Sequence, residues 1–203
     1  MTEVIQVRGT SGSGKSTVMR RVMDRLGPWQ PVYVPGRKRP LYYLDPARGV
    51  AVLGHYESPC GGCDTVGSAA AVYDLTVSLT AVPGLGLRFV LQEGLLLSED
   101  VRWSSRLQAL TVYYLDTPLE RCLTQIQGRR AAAGNDKPLN PDNTANRVAV
   151  IERSRVKLAS LGKRCVVCSP AVCVGFVVGR LGQAGQAGGG GSLCPTIPQT
   201  TRS

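Results

Sequence analysis

The segment from residue 9 to residue 17 constrains the fold of this chain more than any other part of its sequence. It reads GTSGSGKST and matches the pattern G-x-x-x-x-G-K-S/T at every fixed position. This pattern requires a strand before it and a helix after it. The apolar residues 4–7 predict the strand. Apolar positions between residues 18 and 26 recur at helical spacing, and Gly27 followed by Pro28 predicts the end of that helix.

The chemistry that this glycine loop (residues 9–17) predicts is phosphate binding. Its glycines allow a tight wrap in which backbone N–H groups point at a phosphate, and the following helix directs its positive end there. Lys15 adds a charge for the outer phosphates, and the Ser16 hydroxyl is placed to ligate Mg²⁺. ATP and Mg²⁺ are therefore the predicted cofactors, with GTP left open. The predicted nucleotide-binding residues are Gly9, Ser11, Gly12, Ser13, Gly14, Lys15, Ser16 and Thr17.

Strand-like and helical segments alternate along the chain, which predicts an α/β fold with a doubly wound, mostly parallel sheet. Residues 31–53 carry four prolines and predict edge or hairpin strands inserted into this pattern. Ligands of such sheets bind beyond the carboxyl ends of the strands. We therefore expect the glycine loop, residues 54–65, Glu93 and residues 129–146 to lie close together.

Capping signals predict where several helices start. Asp64 or Thr65 is expected to cap a helix over about residues 66–82, and Ser98 is expected to cap a helix over residues 98–107. Residues 117–120, Thr-Pro-Leu-Glu, form a predicted capping box with proline at the first helical position. A long basic helix is expected at about 144–161.

Glu93 and Arg129 are predicted to contribute chemistry from outside the glycine loop. Glu93 ends an apolar strand, where phosphoryl transfer needs an acid to hold the Mg²⁺ shell or to orient the attacking hydroxyl. Arg129 and Arg130 precede the polar residues 131–146, which predicts a short lid whose guanidinium groups close over the transferred phosphate. The alternatives are a solvated acid at a strand end and two cations that complement a helix C-terminus.

The loop that contains His55, Glu57 and Asp64 is where an acceptor substrate is expected to bind. Asp64 is either a general base for the acceptor hydroxyl or a helix cap with no other role. A lone histidine in a turn is more often structural. Whether Asp64 or Glu93 is the base stays open. The predicted catalytic residues are Lys15, Asp64, Glu93 and Arg129, and the predicted metal ligands are Ser16 and Glu93.

Cys60 and Cys63 have the spacing of a zinc knuckle, and Cys165 and Cys168 repeat that interval. On a strand, Cys165 and Cys168 would point to opposite faces of the sheet, which disfavours a four-cysteine zinc site. The second pair is therefore expected in the core, and the first pair is expected to shape a tight turn near the substrate. Whether Cys60 and Cys63 bind a metal is left open.

Composition bounds the remaining questions. With 203 residues, 43% of them hydrophobic, the chain suits one domain, which we place at residues 1–181, followed by a flexible glycine-rich tail at 182–203. A net charge of +10 suits a polyanionic ligand or nucleic acid, and equally a solvated basic face. No apolar run is long enough for a membrane span, and seven cysteines without a signal-peptide layout favour the cytoplasm.

With these residues in place, the chain resembles the P-loop nucleoside and nucleotide kinases over about residues 3–180. The resemblance is carried by the glycine loop, by residues 89–94 and by residues 115–120, which lead to the arginine pair of the predicted lid. It implies the P-loop kinase type of sheet. The sequence Gln-Glu-Gly at residues 92–94 departs from the Asp-Arg pair of thymidylate kinases and puts free thymidylate in doubt as the acceptor.

More narrowly, residues 54–65 and 92–98 look like those of phage-encoded P-loop kinases proposed to phosphorylate 5-hydroxymethyluracil in DNA. This resemblance implies a hydroxymethyl acceptor on a base, a DNA partner and a place in the host cytoplasm. The leading hypothesis is an ATP-dependent kinase of a nucleotide-type acceptor. The alternatives are a nucleic-acid-binding P-loop ATPase that transfers phosphate to water and an inactive nucleotide-binding module. The oligomeric state stays open.

Overall fold

One seven-stranded sheet forms the centre of the computed structural model, which describes residues 1–58, 60–135 and 138–182. The order of the strands across the sheet is β2-β3-β4-β5-β1-β6-β7. The strands are β1 (Glu3–Arg8), β2 (Gln30–Val32), β3 (Tyr42–Asp45), β4 (Val50–Leu53), β5 (Phe89–Glu93), β6 (Leu110–Leu115) and β7 (Arg164–Cys168).

Six α-helices accompany the sheet within the described residues, together with two 3-10 turns at Cys63–Thr65 and Ser104–Arg106. The helices are α1 (Lys15–Arg25), α2 (Ala69–Ala81), α3 (Leu95–Glu99), α4 (Leu119–Ala132), α5 (Pro141–Ser160) and α6 (Pro170–Gly182). None of these helices combines the length and the apolar character needed to cross a bilayer.

The pairing of the strands confirms the predicted α/β class. Strands β4, β5, β1, β6 and β7 run parallel, whereas β2 and β3 add an antiparallel edge beside β4. The insertion predicted from the prolines of residues 31–53 is this edge. Pro31 lies in β2, the outermost strand, where a missing N–H donor interrupts no ladder between two neighbours.

Alternate residues of the strands feed two apolar layers. On β1, Ile5 and Val7 pack with α1 and α6, whereas Val4 packs on the face that carries α2, α3 and α5. On β7, Cys168 belongs to the first layer and Cys165 packs against the second. The two cysteines therefore face opposite sides of the sheet, as their spacing on a strand predicts.

The predicted cap of α2 is wrong. The helix begins at Ala69, and Ser68 caps it by accepting a hydrogen bond from the Ala71 N–H at 3.1 Å. Asp64 and Thr65 lie instead in the preceding 3-10 turn. Ser68 lies directly before the first helical residue, which is where a side-chain oxygen reaches the free N–H groups of the first turn.

The helix predicted over residues 98–107 is also wrong. Ser98 lies inside the short helix α3, and its hydroxyl donates to the Gly94 carbonyl oxygen at 2.7 Å and accepts from the Gly9 N–H at 3.1 Å. Residues 104–106 form only a 3-10 turn. The buried hydroxyl is therefore used to join α3 to the glycine loop and caps no helix.

The capping box predicted at residues 117–120 does not form. Helix α4 starts at Leu119 without a side-chain cap, and the Thr117 hydroxyl donates to the Ser13 carbonyl oxygen at 2.9 Å. The next helix, α5, starts at Pro141, three residues before its predicted start. Residues 136–137 of the predicted lid and residues 183–203 of the predicted tail lie outside the described residues.

Arg8 is the last residue of β1, and it is fully buried directly before the glycine loop. Its guanidinium donates to Gln6 Oε1 at 2.6 Å and to the Asp100 carbonyl oxygen at 2.7 Å. It also donates to Ser154 Oγ on α5 at 3.1 Å and lies 5.9 Å from the centre of the Tyr114 ring. Within the described ranges, Arg8 forms no ion pair with a carboxylate. These contacts connect β1 to α5 and to the loop that follows α3, on the face of the sheet that carries these helices.

Candidate active site

A cleft of about 630 Å³ opens where β1 and β5 end. The glycine loop, the 54–65 loop, the end of β5 and the C-terminal turn of α4 all contribute to its lining, as the rule for parallel sheets predicts. Of the predicted nucleotide-binding residues, Gly9 and Ser13 are buried and do not line the cleft. The other predicted site residues line the cleft: Ser11, Gly12, Gly14, Lys15, Ser16, Thr17, Asp64, Glu93 and Arg129.

The glycine loop needs glycine at position 12 for two reasons. Gly12 has φ +76°, which L side chains rarely adopt. A Cβ at this position would lie 2.3 Å from the Cys122 carbonyl oxygen on α4. The loop is therefore packed directly against the backbone of α4, and Thr117 holds the same contact through its hydrogen bond to the loop.

Lys15 is 7% exposed, and its ammonium is held by the backbone of the glycine loop. Its Nζ donates to the carbonyl oxygens of Gly9 and Thr10, both at 2.8 Å. Burial lowers the pKa of Lys15, and the carboxylates of Glu93 and Asp64 oppose that shift. The loop therefore fixes one positive charge at the floor of the cleft, beside the acidic end of β5.

Glu93 is 1% exposed, and its Oε1 has no hydrogen-bond partner among the described residues. Burial raises the pKa of Glu93 to about 7, although the Lys15 ammonium and the Ser16 hydroxyl act in the opposite direction. A Cβ on Gly62, which has φ +72°, would lie 2.2 Å from Oε1. Glycine at this position therefore allows the 54–65 loop to pack directly against the carboxylate.

Asp64 caps a helix, but the helix is α3 rather than α2. Its Oδ2 accepts from the Leu95 N–H at 2.8 Å, and its Oδ1 accepts from the Leu96 N–H at 3.0 Å. Both carboxylate oxygens are thus engaged by the free N–H groups of a helix N-terminus. This contact fixes the 54–65 loop to the helix that follows Glu93, and it leaves Glu93 as the cleft carboxylate with an unpartnered oxygen.

Of the two predicted lid arginines, only Arg129 lines the cleft. Its Nη1 donates to Cys60 Sγ at 3.7 Å across the cleft mouth, whereas Arg130 Nη1 donates to the Pro138 carbonyl oxygen at 3.3 Å. Cys60 is exposed, and Cys63 is buried with its Sγ 4.0 Å from the Leu53 carbonyl oxygen. In the part of the chain that the structure describes, no group of three or more His, Cys, Asp or Glu side chains is placed to hold a metal ion.

His55 and Glu57 do not line the cleft. His55 is 5% exposed and forms an isolated antiparallel bridge with Gly62, which closes the 54–65 loop. Burial lowers the pKa of His55, and the nearby Arg39 acts in the same direction. His55 is therefore buried outside the cleft lining.

Arg20 also lines the cleft, and it is not among the site residues predicted from the sequence. Its guanidinium donates to the Ser58 carbonyl oxygen and lies 6.0 Å from the centre of the Tyr56 ring. The helical period of α1 predicts the position of Arg20. Arg20 follows Ser16 by four residues on α1, so the two side chains lie on the same face of that helix.

Comparison with curated proteins finds relatives that share one name. The chain is 45% identical over 149 residues to a 5-hmdU DNA kinase of Pseudomonas phage PaMx11, and the alignment covers 70% of this chain and 77% of that protein. The chain belongs to the 5-hmdU DNA kinase family. This result confirms the narrower resemblance seen in residues 54–65 and 92–98.

Two further 5-hmdU DNA kinases are more distant members of the family. The protein of Pseudomonas phage M6 is 32% identical over 169 residues, which cover 78% of this chain and 87% of that protein. The protein of Delftia phage PhiW-14 is 27% identical over 175 residues, which cover 79% of this chain and 63% of that protein. No protein-family model matches the chain. As a member of this kinase family, the chain is a phosphotransferase with an alcohol group as acceptor.

Proposed function

We propose that this kinase transfers the γ-phosphate of ATP to the hydroxymethyl group of a 5-hydroxymethyluracil base in DNA, on a doubly wound P-loop kinase fold in residues 1–181. The observation that carries the proposal is the meeting of Lys15, Glu93 and Arg129 in one cleft. The names of the three relatives support the acceptor. The pattern of the glycine loop supports the nucleotide.

The glycine loop binds the phosphates of ATP in this proposal. Its backbone N–H groups and the N-terminus of α1 surround the phosphate chain, and Lys15 places its charge at the transferred group. Arg129 approaches from α4 on the opposite side and stabilises the charge of the transition state. The C-terminal turn of α4, which carries Arg129 and lines the cleft, belongs in this proposal to the lid that keeps water from the reacting phosphate.

Ser16 and Glu93 suit Mg²⁺, because a hydroxyl and one carboxylate are hard oxygen donors and the Ser16 hydroxyl lies close enough to the Glu93 carboxylate to lower its pKa. Ser16 and Oε2 of Glu93 would hold the ion, which neutralises phosphate charge when bound, and Oε1 would stay available to accept a proton. A magnesium ion of this kind takes its other ligands from phosphates and water. Two protein ligands therefore suffice.

We also assign to Glu93 the role of the general base that accepts the proton of the acceptor hydroxyl. Its Oε1 has no partner, and its raised pKa of about 7 suits a base that works near neutral pH. Asp64 contributes through position, because its carboxylate holds the N-terminus of α3 beside the end of β5. The hydroxymethyl oxygen attacks the γ-phosphorus, its proton passes to Glu93 Oε1, and ADP leaves.

The test of the proposed function follows γ-phosphate label from ATP into three acceptors. These are free nucleosides, nucleoside monophosphates, and DNA that contains 5-hydroxymethyluracil. We expect label in the modified DNA and none in matched DNA that contains thymine. Label confined to a free nucleoside or nucleotide would contradict the DNA acceptor, and phosphate released only to water would favour the ATPase alternative.

The pH dependence of the reaction tests the role of Glu93. A base must be deprotonated to accept a proton, and burial raises the pKa of Glu93 to about 7 in the protein without bound Mg²⁺. Because kcat/KM reports the free enzyme, before Mg²⁺ and ATP bind, it should rise with pH and level off above about pH 7. Below that value the slope should approach about tenfold per pH unit. Glu93→Gln should lower kcat by on the order of 10²–10⁴-fold and remove this limb of the profile.

Glu99→Gln is the matched control for that experiment, because Glu99 is a partly exposed acid that pairs with Arg147 at 3.0 Å. The control should keep both the wild-type rate and the wild-type profile. A Glu93→Gln variant with an unchanged rate and pH profile would contradict the assignment of the base.

A further inference from the structure

The turn between β2 and β3 is basic and folds back onto the 54–65 loop. Residues 37–39 read Arg-Lys-Arg. Arg37 Nη2 donates to the Thr65 carbonyl oxygen at 2.9 Å, and Arg39 Nη1 donates to Ser58 Oγ at 3.3 Å. Thr65 itself lines the cleft. The turn is therefore fixed at the acceptor side of the cleft.

Arg20 reaches the same loop from α1. It donates to the carbonyl oxygen of Ser58, the residue whose hydroxyl accepts from Arg39. His55 Nε2 lies 3.4 Å from Arg39 Nη1. Burial lowers the pKa of His55, and Arg39, Arg37 and Arg20 act in the same direction, whereas Glu57 acts against them. We call Arg20, Arg37 and Arg39 the arginine surface.

No carboxylate forms a direct ion pair with the described members of the arginine surface. Within residues 1–58, 60–135 and 138–182, none of its three members forms an ion pair, and their partners are neutral oxygens and an imidazole nitrogen. Each guanidinium has five N–H donors, of which these contacts use only one or two. The remaining donors suit the planar, two-oxygen recognition of phosphate.

The basic helix α5 differs in this respect. Arg147 pairs with Glu99 at 3.0 Å, and Arg155 pairs with Glu152 three residues before it on the same helix. Part of the charge of α5 is therefore neutralised within the protein. The arginine surface carries the stronger electrostatic signal for a polyanion, and it also lies next to the cleft.

An exposed aromatic ring adjoins the basic turn. Tyr33 is 53% exposed and directly follows β2, only a few residues before Arg37. Exposed rings beside positive charge are typical of surfaces that bind nucleic-acid strands, because bases stack on the rings while the cations hold the backbone. This combination favours a DNA strand over a small anion.

We propose that the arginine surface binds phosphodiester groups of the DNA strand that carries the acceptor base. This inference rests on the proposed function, which places that base in the adjoining cleft. Because Glu93 is buried at the floor of the cleft, the base has to leave its stack to bring its hydroxymethyl group there. Phosphate contacts to the arginines beside the 54–65 loop would hold the strand while the base is turned into the cleft.

The test is direct binding of an oligonucleotide that contains 5-hydroxymethyluracil, without ATP, by the double variant Arg37→Gln/Arg39→Gln. Binding is measured for single-stranded and duplex DNA over a series of salt concentrations. We expect at least tenfold weaker binding, and a slope of log K against log salt that is smaller by about 0.7–0.9 for each lost contact. The KM for ATP should not change, because neither residue lines the cleft.

The matched control is Arg21→Gln/Arg25→Gln, which removes the same charge from exposed positions on α1. The control should bind DNA with the wild-type affinity and salt slope. The inference is overturned if the Arg37/Arg39 variant binds as tightly as the wild type, or if the control loses as much affinity. If the wild-type protein binds DNA through this surface but transfers label only to free nucleosides, the proposed function is contradicted. DNA binding by the arginine surface would still be supported.

Discussion

Lys15→Ala is expected to remove phosphate transfer to DNA while the fold stays intact. The Lys15 ammonium is held by two loop carbonyl oxygens at 2.8 Å and is the cleft's only lysine within the described residues. Its charge acts where negative charge is transferred. We therefore expect kcat to fall by on the order of 10³-fold, a loss like that of a transition-state hydrogen-bond donor.

The stability of Lys15→Ala is expected to remain close to that of the wild type. Burial lowers the pKa of Lys15, which means that burial itself disfavours the charged ammonium in the folded state. Removing that group also removes this unfavourable contribution. Because Lys15 lines the open cleft, water can replace its two hydrogen bonds to the loop carbonyl oxygens, whereas no solvent reaches the fully buried Arg8. Initial rates with labelled ATP and a thermal unfolding curve measure both quantities on the same preparation.

Lys157→Ala is the matched control, because Lys157 is an exposed lysine in the last turn of α5. It should retain the wild-type rate. Lys15→Arg separates charge from geometry, since a planar guanidinium does not replace a compact ammonium between two carbonyl oxygens. If Lys15→Ala transferred phosphate at the wild-type rate, the proposed role of the glycine loop in phosphate transfer would be contradicted.

The parts of the fold that could be predicted from the sequence are those with local causes. The glycine loop is recognisable because its backbone conformation and the charge of Lys15 belong to one short segment. The parallel sheet follows from the alternation of strands and helices, and the prolines of residues 31–53 correctly predict the antiparallel edge. In each case the residues that cause the structure are neighbours in the chain.

The predictions that are wrong concern polar side chains whose partners are distant in sequence. Ser98 was expected to cap a helix of its own, but its hydroxyl bonds Gly9 across 89 residues. Asp64 caps a helix whose first residue comes 31 positions later. Short polar side chains bond whichever backbone group the tertiary structure brings close, so the chain on either side of them does not identify the partner.

Arg8 is the extreme case, because the sequence shows only one more basic residue beside a glycine. Its burial follows from the strand period: Gln6 and Arg8 share one face of β1, where helices cover the sheet. Arg20 differs, since the helical period relates it to Ser16 and places it in the cleft. The sequence alone therefore does not reveal the partners of a polar residue in a strand, such as Arg8. The position of Arg20 can be inferred, because its helix starts in the glycine loop.

Arg8→Met is expected to cause a large loss of stability, because the Arg8 side chain is fully buried. The change leaves Gln6 Oε1, the Asp100 carbonyl oxygen and Ser154 Oγ without the donor that joins them. Each buried polar group that loses its partner costs about 1–3 kcal/mol. We therefore expect the free energy of unfolding to fall by about 3–5 kcal/mol, as when a buried charged network is broken by removal of one member.

Urea unfolding of Arg8→Met measures this loss, and Arg164→Met is its control. Arg164 is an exposed arginine at the start of β7, so its replacement removes the same charge from a strand without unsatisfying a buried group. The control should change the free energy of unfolding by less than about 0.5 kcal/mol. Arg8→Lys keeps the charge but has one ammonium group in place of the branched guanidinium, so its free energy of unfolding should lie between those of the wild type and Arg8→Met.

If the free energy of unfolding of Arg8→Met lies within about 1 kcal/mol of the wild-type value, the network does not hold β1 and α5 together. The position of the glycine loop would then depend on its packing against α4 and on the hydroxyls of Ser98 and Thr117.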